Sequence, residues 1–482
     1  MSATARLLDT PEAVAEGLRR LTHAPEWLGA PGRPDQVRAG LERYAPELVT
    51  GALEVRRLEV RRLRLKKGSE GWTGQYELEL GRAGEAGGRV VMLQARVVPP
   101  GFAEPDAVAT GAFGEPGWRA YLPELRLELQ TQPEDPALPA LPALTDPERA
   151  RELLERAIRA AAPRYADLRI ASCFVKALRY KPGSRATVVY RLGYGPGDAG
   201  RGWPEIVVAK TYSGSKGKNA YDGMAALWAS PLATGDVVTV AEPLAYLPDL
   251  KVLLQGPIAE ERTLEDLLRA ALRSGDSAEL AALDEAMDKT AAGLAALHYS
   301  GVAYGETITW EDELAEVREV IGRLAVPLPE LAEAAEPLLR RLEALAAEAL
   351  PDPVLPSHRA FRPAQVLLSG SRIGFIDFDG FGRAEAALDL SRFVRKARAL
   401  GFDALQAAGV ADDGAYARAD AIGERFLAAY ERYASVSRRR IELWEALDLL
   451  TLVLYCWTKI EPERLPDTML LLERHLRRIG VL

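Results

Sequence analysis

Cysteine is scarce: the 482 residues hold two, Cys173 and Cys456, too few and too far apart for a disulfide framework or a zinc site. Both sit in apolar runs, which suits buried free thiols. Long hydrophobic runs are missing too. The most apolar stretch, "LLTLVLYCW" (Leu449 to Trp457), falls far short of the roughly 20 residues a membrane helix needs. Positive charge is not in excess. A formal charge of −8 and a pI near 5.5 argue against a dedicated nucleic-acid binder. The opening residues lack the layout of a signal peptide, so the expectation is a soluble, cytoplasmic protein with neither nucleic acid nor membrane as partner.

What is present is ordinary globular composition, 48% hydrophobic and 27% charged, in a chain long enough for two or three domains. Residues 1 to about 50 read as short helices. Strand-like runs separated by Gly-rich turns follow: "LEVRRLEVRRLRLKK", "GQYELELG" and "RVVMLQARVV". The Pro-rich segment Pro133 to Ala150 reads as a semi-rigid linker, and the helix after it is expected to have Asp146 as N-cap and Pro147 in its first turn.

The chain then repeats itself. "LRLKKGS" (Leu63 to Ser69) returns as "LRYKPGS" (Leu178 to Ser184), "YELELG" from Tyr76 as "YRLGYG" from Tyr190, and "QARVV" ending at Val98 as "VAKTY" ending at Tyr212. "AYLPELRLELQ" from Ala120 returns as "AYLPDLKVLLQ" from Ala245, with seven of eleven positions identical. Blocks that keep their order indicate a duplicated β-rich unit. From Thr263 the pattern is helical. Leu280, Leu283, Met287, Leu294 and Leu297 fall near one helix face, and Gly301 is a stop. One short strand pair is expected inside this helical part.

That pair lies in "SHRAFRPAQVLLSGSRIGFIDFDGFGRAEAALDL" (Ser357 to Leu390). "VLLSGSRIGFIDFD" reads as a hairpin closed by a Ser-Gly turn. Asp377 and Asp379, two apart at its end, would share one side of a strand. Carboxylates at a strand end beside a loop make hard-cation ligands, and the Gln365 amide oxygen offers a further one for Mg²⁺.

These residues resemble the aminoglycoside phosphotransferase and choline kinase branch of the protein-kinase-like fold. Its His-x-Asp-x-x-x-x-Asn loop is matched by His358, and its metal-binding Asp by Asp377. Its buried loop-anchoring Asp is matched by Asp389, and its loop proline by Pro363. Upstream, "PEIVVAKTY" resembles the third small-lobe strand, which makes Lys210 the lysine on the nucleotide α/β-phosphates. "YKPGSRATVVYRL" resembles the first hairpin, with Gly183 and Ser184 in the turn over the phosphates. "LPDLKVLLQGPI" resembles the strand into the hinge, whose backbone at Gln255 and Gly256 would face adenine.

The resemblance implies ATP and Mg²⁺ as ligands, with Asp377, Gln365 and Asp379 toward the metal. It implies O-phosphorylation of a small hydroxylated acceptor: a sugar, an aminoglycoside or an amino alcohol. Its expected fold class is α+β: a bilobal kinase-like fold with an additional N-terminal copy of the small lobe. Residues 1–150 would form a helical segment plus that copy, as a cap; 151–258 the small lobe; and 259–482 a mainly helical large lobe.

Two departures stand out. Ala360 occupies the position of the catalytic Asp, which accepts or orients the substrate hydroxyl proton. Gln365 replaces the usual Asn. A slow or inactive enzyme and a nucleotide-binding pseudokinase, acting as scaffold or regulator, both fit. His358 reads as a structural residue holding backbone, and Arg359 and Arg362 as solvated loop arginines. Asp222 is the sole acid offered as a partner for Lys210 on the following helix. Arg96, at the Lys210 position of the first copy, makes that copy a poor ATP binder. Trp444, Glu445, Asp448, Tyr455 and Trp457 could line an acceptor site, though their spacing equally suits core.

Overall fold

The structure is a computed structural model, and it describes residues 10–482 apart from 24, 67, 70, 83, 84, 86, 106–108, 132–134, 136, 182, 199 and 200. The chain divides into two compact units. One comprises Met1–Asp135, Glu311–Glu348 and Ala446–Leu482, the other Pro136–Trp310 and Ala349–Glu445.

In the first unit, the helix Pro11–Leu21 starts where the Thr10 hydroxyl accepts the Ala13 N–H at 3.2 Å, and it buries Val14, Leu18 and Leu21. Gly17 permits close packing: a Cβ there would lie 2.4 Å from the Ala334 carbonyl oxygen of helix Pro329–Glu348. An antiparallel sheet follows. Its strands are β1 (Glu54–Leu65), β2 (Trp72–Gly81), β3 (Gly88–Val97), β4 (Arg119–Leu122) and β5 (Leu127–Thr131), in the order β1-β2-β3-β5-β4. Alternation buries Trp72, Tyr76, Leu78 and Leu80 of β2 on one face. The two large polar rings among them are satisfied: Trp72 Nε1 donates to the Trp457 carbonyl at 2.8 Å, and Tyr76 Oη to the Pro31 carbonyl at 2.7 Å. The opposite face carries a solvent-side ladder of Arg57, Glu59, Arg61 and Glu77.

The second unit contains a second five-stranded antiparallel sheet. Its strands are β6 (Ser172–Lys181), β7 (Arg185–Gly193), β8 (Ile206–Tyr212), β10 (Pro243–Leu247) and β11 (Val252–Gln255); the short β9 (Thr239–Val240) lies elsewhere. Its order, β6-β7-β8-β11-β10, is that of the first sheet. The likeness reaches single residues. Arg126 and Lys251, each after a one-turn 3₁₀ helix, both take left-handed backbone, with φ of 49° and 50°. Tyr190, like Tyr76, is fully buried and donates to a carbonyl, that of Leu144.

Helix Pro147–Ala161 is capped by the Asp146 carboxylate, which accepts the N–H groups of Glu148 and Arg149 at 3.1 and 2.9 Å. Its Leu153, Leu154 and Ile158 pack with Val188, Tyr190, Val207, Ala209 and Leu254, covering one face of the sheet. The segment expected to be a linker is partly helical: Leu141–Thr145 forms a turn of helix and buries Leu144, because its leucines have core to cover. Residues 133, 134 and 136 of that segment lie outside the described residues.

Beyond the sheet, helices Leu264–Ser274, Ser277–His298, Ala386–Ala407 and Asp412–Glu431 make the helical part. It holds more strand than the one pair expected. β12 (Arg262–Thr263), β14 (Val366–Ser369), β15 (Arg372–Phe375) and β9 form a four-stranded sheet, and β13 (Val354–Ser357) pairs with β16 (Gly382–Glu385). Runs of two to four residues carry too little alternation to announce a strand. The fold is α+β and kinase-like, with a further antiparallel sheet in the N-terminal region. No helix among the described residues is long and apolar enough to cross a membrane. Cys173 and Cys456 are buried free thiols.

Candidate functional site

The site lies within the second unit. On β8, Ala209 and Thr211 are fully buried against the covered face, so the period of two turns Lys210 and Tyr212 to the opposite side. The β14–β15 hairpin delivers Ile376 and Asp377 to that side. Asp377 then leaves the strand. Its φ is +73°, and Phe378–Gly380 forms a 3₁₀ turn. The two acids therefore do not share a strand face, as their spacing suggests; a turn presents them. Buried Phe378 and Phe381 pin this turn. A non-glycine residue held at positive φ is sparsely populated backbone, and aspartate is among the residues that tolerate it.

Both carboxylates meet the cations of the sheet. Lys210 Nζ lies 3.2 Å from Asp377 Oδ1 and 3.6 Å from Asp379 Oδ1. Arg185 donates to Asp379 Oδ2 at 3.0 Å, and Tyr212 Oη donates to Asp379 Oδ1 at 2.7 Å. Burial alone would raise the Asp377 carboxyl, but Lys210 and Arg185 hold it below the ordinary carboxylate range. Burial, then the Asp379 charge, pushes the Tyr212 phenol well above its usual value. Asn219, on helix Lys216–Trp228, donates to the carbonyls of Asp379 and Phe381 at 3.3 and 2.9 Å and so holds the turn.

Gln365 donates its amide N–H to Asp377 Oδ2 at 3.2 Å. Its own Oε1 is buried without a hydrogen-bond partner, on a residue only 3% exposed.

The loop before the hairpin is anchored from below. Asp389 is fully buried; its Oδ2 accepts the His358 backbone N–H at 2.7 Å and lies 3.3 Å from His298 Nε2. His298 Nδ1 is 2.7 Å from Tyr430 Oη. Burial would raise the Asp389 carboxyl, but His298 and His358 hold it below its ordinary value. The His358 ring is buried, with Nε2 2.9 Å from the Ile376 carbonyl. Arg359 has φ of +63°, and its carbonyl accepts from Arg392. Ala360 and Arg362 are exposed.

The turn between β6 and β7 is tight: Gly183 has φ of +63°, and Ser184 N–H donates to the Lys181 carbonyl at 3.1 Å. Gln255 is buried at the end of β11, and the Gly256 N–H is taken by the Glu242 carbonyl at 2.8 Å.

Of the residues read from the sequence, Lys210, Asp377, Asp379 and Gln365 come together, and His358 meets Asp389. Asp222 does not reach Lys210. It pairs with Lys218 at 2.6 Å, one helical turn away, and accepts from Tyr304. Trp444 and Trp457 are core, and Glu445 is buried against Arg398 at 2.7 Å. Arg96 pairs with Glu128 across its own sheet at 2.8 Å.

Arg185, Tyr212, Asn219 and His298 are the residues the sequence reading missed. Arg185 directly follows Gly183 and Ser184, and Tyr212 shares the Lys210 face two residues on, so both had a signal. His298 had none.

A sheet and an acidic turn that share a lysine–aspartate cluster, above a loop anchored by a buried aspartate, make this a kinase-like fold. Residues 223–444 match the model of the phosphotransferase enzyme family, and the resemblance read from the sequence holds for this region. Among solved structures, the chain is similar to a glucosamine kinase in complex with glucosamine, ADP and inorganic phosphate. That match has 17% identity and a TM-score of 0.46, and covers 92% of this chain and 98% of that one. It is also similar to a choline kinase from Streptococcus pneumoniae, at 13% identity and a TM-score of 0.42, covering 69% of this chain and 99% of that one. An aminoglycoside phosphotransferase from Streptomyces rimosus matches at 20% identity and a TM-score of 0.36, over 57% of this chain and 92% of that one. No curated protein matches the chain.

Proposed function

We propose that the chain binds ATP with Mg²⁺ and descends from ATP-dependent O-phosphotransferases that act on small hydroxylated molecules: a sugar, an aminoglycoside or an amino alcohol. The observation that carries this reading is the 3.2 Å approach of Lys210 Nζ to Asp377 Oδ1, an ammonium from the sheet and a carboxylate from the helical part. In the ligand-bound protein Lys210 holds the α/β-phosphates, the turn at Gly183 and Ser184 lies over them, and the backbone at Gln255 faces adenine. The Gly256 amide is already taken, so the hinge offers carbonyls there.

The residues present fit a magnesium ion. Oxygen donors stand together at Asp377, Asp379 and Gln365, and the buried Gln365 Oε1 has no partner. Three or more His, Cys, Asp or Glu side chains do not cluster as a metal site among the described residues. When bound, the ion neutralises charge on the β- and γ-phosphates. Asp389 keeps the His358 loop in place.

Ala360 leaves that loop without a general base, whose loss costs about 10²- to 10⁴-fold in rate. Transfer to a hydroxyl is then slow or absent. The second reading, a nucleotide-binding pseudokinase that acts as scaffold or regulator, is favoured by this same alanine. Turnover separates them: Ala360→Asp restores ATP consumption with a hydroxylated acceptor if the enzymatic reading holds, and gains nothing with any acceptor if the protein is a scaffold.

The same strand order and paired left-handed residues support a duplication, in which residues 1–150 carry a cap-like copy of the small lobe at 151–258, ahead of the large lobe at 259–482. Arg96, engaged by Glu128, suits a copy that binds no nucleotide. Two buried free thiols suit a reducing, cytoplasmic setting.

A further inference from the structure

A catalytic loop without a base constrains what it can phosphorylate. Residues 358–365, "HRAFRPAQ", contain no carboxylate and two arginines, on either side of exposed Ala360. Among the described residues, the three aspartates that next follow this loop in sequence are all engaged by other groups. Asp377 is engaged by Lys210 and Gln365, Asp379 by Arg185 and Tyr212, and Asp389 is sealed beneath the loop by His358 and His298. His358 is itself buried and turned toward the Ile376 carbonyl. Arg359 is fixed by its left-handed backbone and by Arg392, and its guanidinium lies over Gly382: a Cβ there would be 3.1 Å from Nη1. Arg362, two residues beyond Ala360, is exposed. Guanidinium groups recognise carboxylate and phosphate oxygens with matched geometry.

We propose that the acceptor is a small oxyanion, a carboxylate or a phosphate monoester, whose own ionised oxygen is the nucleophile; this rests on the ATP-binding reading above. The acceptor oxygen forms a bond to the γ-phosphorus. The bond from that phosphorus to the β,γ-bridging oxygen breaks, and ADP leaves with the electron pair. No proton moves, so no base is needed. A carboxylate gives an acyl phosphate and a phosphate monoester gives a diphosphate, with charge conserved. Arg362 orients the oxyanion and offsets its repulsion from the nucleotide.

The test uses the full chain with Mg²⁺ and radiolabelled ATP in three arms at equal concentration: acetate and gluconate; glycerol 3-phosphate and glucose 6-phosphate; glycerol, glucose and choline. Hydroxylamine traps an acyl phosphate as a hydroxamate, and phosphorus NMR distinguishes a diphosphate from a second ester. One oxyanion arm should turn over at least about tenfold faster than the neutral arm. Arg362→Gln should raise KM for that acceptor about tenfold, as expected for loss of a charge-assisted hydrogen bond, while leaving stabilisation by ATP unchanged. Ala360→Asp should shift preference toward the neutral arm. Stabilisation by ATP without turnover of either oxyanion overturns this inference alone and leaves the scaffold reading standing. A native chain that prefers the neutral arm also overturns it, as does an Arg362→Gln chain with unchanged KM. Absence of any stabilisation by ATP removes the underlying reading and this one together.

Discussion

Replacing Lys210 with methionine isolates the charge cluster, because the stem is kept and only the ammonium is lost. Its Nζ lies 3.2 Å from Asp377 and 3.6 Å from Asp379, with the lysine side chain 13% exposed and that of Asp377 20%. At an effective dielectric of about 20, a unit pair 3.2 Å apart attracts by about 5 kcal/mol. Taking both groups out of water cancels most of that, so the pair adds little over a well-packed apolar substitute. Breaking it is another matter, since two carboxylates then share Arg185, which is 3.0 Å from Asp379 and 3.7 Å from Asp377. Loss of one partner from a buried pair costs about 3–5 kcal/mol. The remaining arginine and the partial exposure place this case at the low end, ~3 kcal/mol.

Asp377→Asn should cost less, ~1 kcal/mol, because Lys210 keeps Asp379 and the asparagine still accepts from Gln365. The double variant should then be less destabilised than the sum by ~1–2 kcal/mol. Calorimetry of the full chain reads this directly: ~3 kcal/mol corresponds to a Tm lower by roughly 6 °C for a unit of this size. A Lys210→Met chain within about 0.5 kcal/mol of the native one, or strictly additive single effects, would refute the reasoning.

Asp389→Asn removes the charged acceptor beneath the loop and should cost ~2 kcal/mol at neutral pH. Because its folded carboxyl is held below the ordinary value, that contribution is full above about pH 4 and is lost as pH falls through the folded value. The Tm gap between native and variant chains should therefore close in acid. Asp222→Asn should change stability by less than about 0.5 kcal/mol, since its partner Lys218 is exposed. It should also leave stabilisation by ATP intact; loss of that stabilisation would mean that Lys210 does depend on Asp222.

Part of this arrangement is legible in the sequence. "IVVAKTY" announces a strand with one lysine turned away from an apolar face, and "VLLSGSRIGF" a hairpin that ends at an acid. The backbone reversal at Asp377 was not readable, because it follows from burying Phe378 and Phe381, which are distant partners' work rather than a local propensity. Asp222, the sole acid the following helix offered to Lys210, is instead satisfied locally by i,i+4 pairing with Lys218. His298 lies 91 residues from Asp389, and nothing in one helix points to the other. The strand order of both sheets follows the repeated blocks closely. The compact units do not, since Glu311–Glu348 and Ala446–Leu482 join the N-terminal region through contacts that no contiguous segment reveals.

The most direct measurement is the thermal shift of the native chain with ATP, with and without Mg²⁺, beside Lys210→Met and Asp377→Asn. At about 100 times its Kd, ATP with Mg²⁺ should stabilise the native chain by ~2.7 kcal/mol. Removing either Mg²⁺ or either of the two side chains should abolish most of that gain. A native chain indifferent to ATP, or one whose gain survives in both variants, would contradict the claim that Lys210 and Asp377 together hold a triphosphate and its cation.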